Sequence, residues 1–160
     1  MQPTTLLLTL CSAVAVTALP SSYIFKGFCC FSLQDTSSNN MVQQDTHSGY
    51  LSLNSGHTNG WYCLNSNRQD TVLRDGAYNA CILDYRNQFQ CLDPTPGSDV
   101  WTVKRTGGKT VLQNDGSQGF SACSSAKGEM LYGSKPPGDV KCRKLTQLAV
   151  VGMQGACNGF

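Results

Sequence analysis

Cys29 and Cys30 are adjacent, and no other pair of residues restricts the architecture of this chain so strongly. A disulfide between neighbours would strain the intervening peptide bond, so each must take a different partner. Successive side chains of a strand point to opposite faces, and on a strand this dipeptide fastens the N-terminal part of the chain to two separate parts of a sheet. Cys11, Cys63, Cys81, Cys91, Cys123, Cys142 and Cys157 bring the cysteine count to nine, an odd number that cannot pair completely. Cys11 lies in the apolar run from Leu6 to Ala18, which has the length of a secretory h-region and is too short to span a bilayer. Val16-Thr17-Ala18 supplies small or modest residues before a cut, and Leu19-Pro20 begins a different composition. Cleavage is expected after Ala18, giving a signal peptide over residues 1–18 and a single disulfide-rich β domain over 19–160. That cut removes the odd cysteine. Cys29, Cys30, Cys63, Cys81, Cys91, Cys123, Cys142 and Cys157 remain, enough for about four disulfides, the expected state on an oxidising export route. Sequence alone does not choose among their pairings, beyond the expectation that Cys157 ties down the C-terminus.

The eight cysteines have no short metal-ligand spacing of the Cys-x-x-Cys kind, and neither His47 nor His57 lies near a cysteine pair. No metal and no cofactor is expected. Charged residues make up 14% of the chain and Glu129 is its single glutamate, so Ser, Thr, Asn, Gln and Gly dominate the polar positions, as in secreted all-β domains. The apolar residues alternate in short runs. Tyr50–Leu53, Trp61–Leu64, Ala80–Leu83, Phe89–Leu92 and Val100–Val103 are each bounded by Gly, Asn, Asp or Pro, and so are Thr110–Leu112, Phe120–Cys123, Met130–Tyr132, Val140–Leu145 and Leu148–Val151. Thr106-Gly107-Gly108 separates two such runs and predicts a tight hairpin over Val100 to Gln113, because Gly takes the positive φ that the turn demands. Asn114-Asp115-Gly116 and Asp93-Pro94-Thr95-Pro96-Gly97 predict further reversals. Strands spaced by about ten residues fit a compact all-β domain, a β-barrel or a sandwich, stapled by the disulfides.

Twelve basic and ten acidic residues give a formal charge of +2, and Lys141, Arg143 and Lys144 form the one basic cluster. That is too weak for a nucleic-acid footprint and reads as a solubility device on an edge strand. No membrane span is expected, since the last apolar stretch, Leu145 to Met153, is interrupted by Thr146, Gln147 and Gly152. Exposed edge strands leave a homodimer open.

Acyl-transfer chemistry needs a nucleophile, a base and an orienting group. Asp45-Thr46-His47-Ser48 brings such types together in sequence, but triads are assembled from distant positions, so His47 reads as a solvated loop residue. A guanyl-specific ribonuclease would combine Glu129 with a His and an Arg, and a glycosidase would need two carboxylates at a set distance. No motif supports either, and no catalytic residue is assigned. Sugar binding draws on flat rings, and Trp61, Tyr62, Tyr78, Tyr85, Trp101 and Tyr132 are the supply. Trp101 alternates with Val100 and Val103 as a core residue would. The Gly/Asn-rich loop from Asn54 to Gly60 delivers His57, Trp61 and Tyr62, which form the candidate ligand surface.

The early Phe28-Cys29-Cys30-Phe31, the Trp61-Tyr62-Cys63 unit, the signal peptide and eight mature cysteines in a β-rich domain resemble a fungal small secreted cysteine-rich protein. More specifically, the chain is similar to the group that includes plant-defence elicitors of Trichoderma and of the rice blast fungus, compact β-barrel proteins without known enzymatic activity. The resemblance implies secretion to the extracellular space, a non-catalytic effector or elicitor role at the fungus–plant interface, and perception by a plant cell-surface component or contact with a wall glycan. A cell-wall or glycan-binding module is the alternative, and a small secreted hydrolase stands behind it.

Overall fold

A computed structural model describes residues 23–67 and 70–160, so the expected signal peptide lies outside the described residues. The described residues form fourteen strands. They are β1 (Phe28–Asp35), β2 (Gln43–Gln44), β3 (Leu51–Leu53), β4 (Thr58–Asn59), β5 (Tyr62–Asn65), β6 (Arg74–Asp75) and β7 (Ala80–Leu83). The second half supplies β8 (Phe89–Asp93), β9 (Trp101–Thr106), β10 (Lys109–Asn114), β11 (Ser121–Ser124), β12 (Glu129–Tyr132), β13 (Cys142–Lys144) and β14 (Leu148–Gly155). Each of the ten alternating runs in the sequence becomes a strand. The two-residue strands β2, β4 and β6 carry no such pattern and exist because partners lie beside them. β2 falls in the polar stretch before His47, and β4 in the loop that delivers Trp61.

The strands make two antiparallel sheets. One holds eight strands in the order β8, β7, β6, β5, β1, β14, β10, β9, and the other holds six in the order β13, β11, β12, β3, β2, β4. Both orders end on open edges, so the sheets do not close into a barrel and the sandwich alternative is the one realised. Bridges at Tyr50↔Gln90 and Gln88↔Tyr132 link the two sheets. Between them lies a core of Phe31, Leu33, Leu51, Tyr62, Phe89, Trp101, Leu112, Phe120, Leu131 and Leu148, all buried. Trp101 is a core residue: its ring stacks on Phe89 at 4.7 Å between centroids, and its indole N–H donates to the Cys81 carbonyl at 2.8 Å. Among the described residues no helix is long and apolar enough to cross a membrane.

The Cys29-Cys30 dipeptide acts as expected. Cys29 faces the core and bonds Cys157, just past the end of β14, while Cys30 faces outward and bonds Cys63. Three of the four disulfides join directly opposed residues of neighbouring strands, Cys30↔Cys63, Cys81↔Cys91 and Cys123↔Cys142, so they lock strand register rather than distant loops. The hairpin over β9 and β10 turns at Gly107 and Gly108, whose φ of 58° and 79° are the two positive values a tight turn of this kind needs.

Four aspartates build four further reversals by one device. Asp35, Asp45, Asp75 and Asp84 each end or follow a strand, and each carboxylate accepts the backbone N–H two residues on. A residue in the left-handed region then closes each turn: Asn39, Gly49, Tyr78 and Asn87. At Gly49 the φ of 74° coincides with close approach to the Cys91 backbone, so no side chain fits there.

Candidate functional site

β1 is buried on both faces over Phe28–Phe31, because a second, smaller apolar cluster covers the outside of the eight-stranded sheet. The Cys30–Cys63 disulfide and Phe28 form its base, and Phe25 and Trp61 pack against them. The segment before β1 is tied down by backbone polar groups. Trp61 donates its indole N–H to the Tyr23 carbonyl at 3.1 Å, Phe28 N–H donates to the Phe25 carbonyl at 3.0 Å, and Ser66 donates to the Gly27 carbonyl. Phe25 then lies edge-to-face with Tyr23 at 5.0 Å, with Tyr78 at 4.9 Å and with Phe28 at 5.7 Å. Tyr23 is 67% exposed and Tyr78 43%, and Trp61 is half-buried between them and the disulfide. The result is an aromatic patch on a disulfide-stiffened base.

Tyr78 occupies the place in its turn where the matching turns put Asn or Gly. Its φ of 71° is costly for a bulky residue, and two contacts hold it there. Phe25 packs against the ring, and the Arg74 guanidinium lies 4.3 Å from its centroid. Arg74 is buried to 8% exposure and pairs with no carboxylate among the described residues. Its Nη1 donates to the carbonyls of Tyr78 and Pro94 at 3.2 Å, and its Nε has no hydrogen-bond partner among the described residues. A buried cation so weakly compensated makes the Tyr78 ring part of its stabilisation.

The three residues expected to form one ligand surface separate. Trp61 joins the patch. His57 is half-buried just before β4 of the other sheet, with its backbone N–H on Ser55 Oγ at 3.5 Å. Tyr62 is completely buried in the core and is no surface residue: strand alternation turns it inward from Trp61, and burial pushes its phenol well above the usual range. Its hydroxyl abuts Gly60 and has no hydrogen-bond partner among the described residues. Tyr62→Phe removes that buried unsatisfied group, so thermal unfolding is expected to show about 1 kcal/mol of added stability. A destabilised variant would mean that the hydroxyl is satisfied. Of the other rings, Tyr132 is buried, and Tyr85 stands 95% exposed on the turn between β7 and β8.

The carboxylates and histidines are arranged for structure. Asp45 accepts from the His47 backbone N–H at 2.9 Å and the Ser48 hydroxyl at 2.8 Å, which caps a turn and leaves the His47 ring exposed. Glu129 and Arg143 do meet, as a ribonuclease site would need, through Nε–Oε1 at 2.8 Å and Nη2–Oε2 at 2.7 Å. The third member is Asp35 at 3.0 Å and not a histidine. This corrects the solubility reading for Arg143: it lies opposite buried Ala122, on the core side of edge strand β13, while Lys141 and Lys144 remain exposed. An inward charge on an edge strand opposes further pairing. Among the described residues no group of His, Cys, Asp or Glu is placed to hold a metal ion.

Sequence reasoning included Tyr78 in its ring supply but did not foresee Tyr23, Phe25 or Arg74 beside it. The recurrent Asp followed three or four residues later by Asn or Gly was the available signal, and Tyr78 is its exception. Comparison with protein-family models, curated proteins and solved structures yields no significant match to this chain.

Proposed function

We propose that this chain is a secreted, non-catalytic effector or elicitor, acting at a fungus–plant interface and perceived by plant cells through the aromatic patch. The observation that carries this reading is where the reactive side chains are engaged. Eight cysteines are in disulfides and four carboxylates hold turns, while Tyr23, Trp61 and Tyr78 stay accessible. The apolar run from Leu6 to Ala18 supports an export route, and the disulfides suit an oxidising extracellular space. Infiltration of purified protein into leaves tests it. Intact protein is expected to raise defence markers, and Tyr78→Asn to weaken the response. Unchanged markers with both intact and reduced protein would reject the reading.

A wall or glycan-binding module is the second reading, favoured by the same patch because exposed rings suit sugar faces. Retention on chitin, β-glucan and cellulose decides it. Trp61→Ala and Tyr78→Asn are each expected to weaken retention by about three- to tenfold, the equivalent of one aromatic contact. Tyr78→Asn keeps the turn, since Asn already occupies the same left-handed place at Asn39 and Asn87. No retention of the wild-type protein on any of the three polymers would end this reading.

A further inference from the structure

A cleft of about 400 Å3 opens at the far end of the eight-stranded sheet, away from the aromatic patch. It lies where two neighbouring strands share a single ladder pair. β10 and β14 are in register at one pair, Val111↔Ala149, whereas β9 and β10 remain in register along their whole length. Beyond Val111 the gap is lined by Arg105, Gly108, Lys109 and Thr110 on one side and by Ala149, Val150, Val151 and Met153 on the other, with Gln34 and Phe160 completing it. No Asp or Glu lines it. The hairpin from Trp101 to Asn114 contains Lys104, Arg105 and Lys109 and no acidic residue, and none of the three forms an ion pair among the described residues. All three are exposed.

We propose that this cleft binds an acidic polysaccharide, a uronate-type chain whose carboxylates meet Arg105 and Lys109 while its sugar faces lie on Phe160, Val151 and Met153. The charge selects an anion, since two unpaired cations stand at the lip of a cleft lined by no Asp or Glu side chain. The wall selects a ring with an apolar face, because aromatic and aliphatic side chains alternate with Gln34 and Thr110 as hydrogen-bonding groups. The backbone disfavours an acidic peptide. A peptide entering a gap between strands gains affinity by extending the ladder, and here one side begins at the left-handed hairpin turn of Gly108, φ 79°, while the other is interrupted inside β14 by left-handed Gly152, φ 64°. Recognition is therefore left to side chains. The proposal is independent of the aromatic patch.

Co-sedimentation and affinity electrophoresis with polygalacturonate test it, with neutral dextran and polyglutamate as comparison polymers. Wild-type protein is expected to bind polygalacturonate, and to lose that binding as salt shortens the screening length from about 8 Å to about 3 Å. Arg105→Gln/Lys109→Gln is expected to weaken binding about tenfold, the product of roughly threefold for each exposed ionic contact. The charge-preserving Arg105→Lys/Lys109→Arg keeps binding within about threefold, which separates lost charge from a disturbed hairpin. Lys141→Gln/Lys144→Gln on β13 and Tyr78→Asn leave it unchanged. Three results would overturn the proposal: no binding by the wild type, an equal loss in the β13 variant, or polyglutamate competing as well as polygalacturonate at equal charge.

Discussion

Replacing Cys29 and Cys157 together by alanine is expected to cost about 5 kcal/mol, the largest loss from removing any one of the four disulfides. The bond joins residues 128 apart in sequence, so in the chain-entropy account it restrains the unfolded ensemble most, whereas Cys81–Cys91, separated by 10, should be worth about 3 kcal/mol. Both bonds sit against the main core, with Cys29, Cys81 and Cys91 buried, so they differ in loop length and in register, which Cys81–Cys91 locks across a strand pair and Cys29–Cys157 does not. A single domain has about 5–15 kcal/mol of net stability, so the first double variant should lose about a third of it or more and the second a smaller share. Urea unfolding without reductant, compared between Cys29→Ala/Cys157→Ala and Cys81→Ala/Cys91→Ala, makes the measurement. Equal midpoints would show that loop length does not set the contribution of these bonds.

Arg143→Met is expected to cost about 2–3 kcal/mol at neutral pH and to move acid unfolding to higher pH. Arg143 joins the two sheets, holding Asp35 of β1 against Glu129 of β12 from its place on β13. The Asp35 side chain has no exposed surface, and without the guanidinium it keeps the hydroxyls of Ser37 and Ser38 while facing Glu129 uncompensated. Burial by itself would raise the Asp35 carboxyl above 3.8. Hydrogen bonds from Ser38, Ser37 and Arg143 outweigh it and hold the group below that value. The folded chain thus favours the ionised form. Its contribution is complete above the ordinary carboxylate value and is lost as pH falls through the lower folded value. Removing Arg143 shrinks the depression, so the contribution is smaller and its loss is complete at higher pH, and a less stable fold reaches its acid midpoint sooner. Circular dichroism followed from neutral to acid pH reads the shift, and Arg143→Met/Glu129→Gln should recover part of it by removing the facing charge. An unchanged acid midpoint would rule out this role for the pair.

Strands were legible because their signal is local. Alternation over four to six residues needs no knowledge of the partner, which is why Ala80–Leu83 and Phe89–Leu92 could be placed, and why Gly107-Gly108 identified the turn between β9 and β10. β2, β4 and β6 were not legible, since two residues carry no period and owe their conformation to neighbours such as Ser52 and Leu51, which pair with Gln43 and Gln44. The candidate surface was legible in part. Trp61 and Tyr62 are adjacent aromatics, and nothing local says which of them faces inward. The register of β5 against β1 decides it, placing Tyr62 beside Phe31 in the core.

The sequence by itself determined the class of fold and the need for disulfides. The adjacent Cys29 and Cys30 further required bonds on two faces of one strand, because covalent geometry and strand alternation act over neighbouring residues. Tertiary structure alone decided that the sheets stay open, that Cys30 meets Cys63, and that Arg143 turns inward to Asp35. It also decided that Tyr23, Phe25, Trp61 and Tyr78 gather over one disulfide while Arg105 and Lys109 stand beside a gap between strands. Each of those outcomes depends on which distant strands become neighbours. That choice is made by burial of the whole core, which no short stretch of sequence encodes.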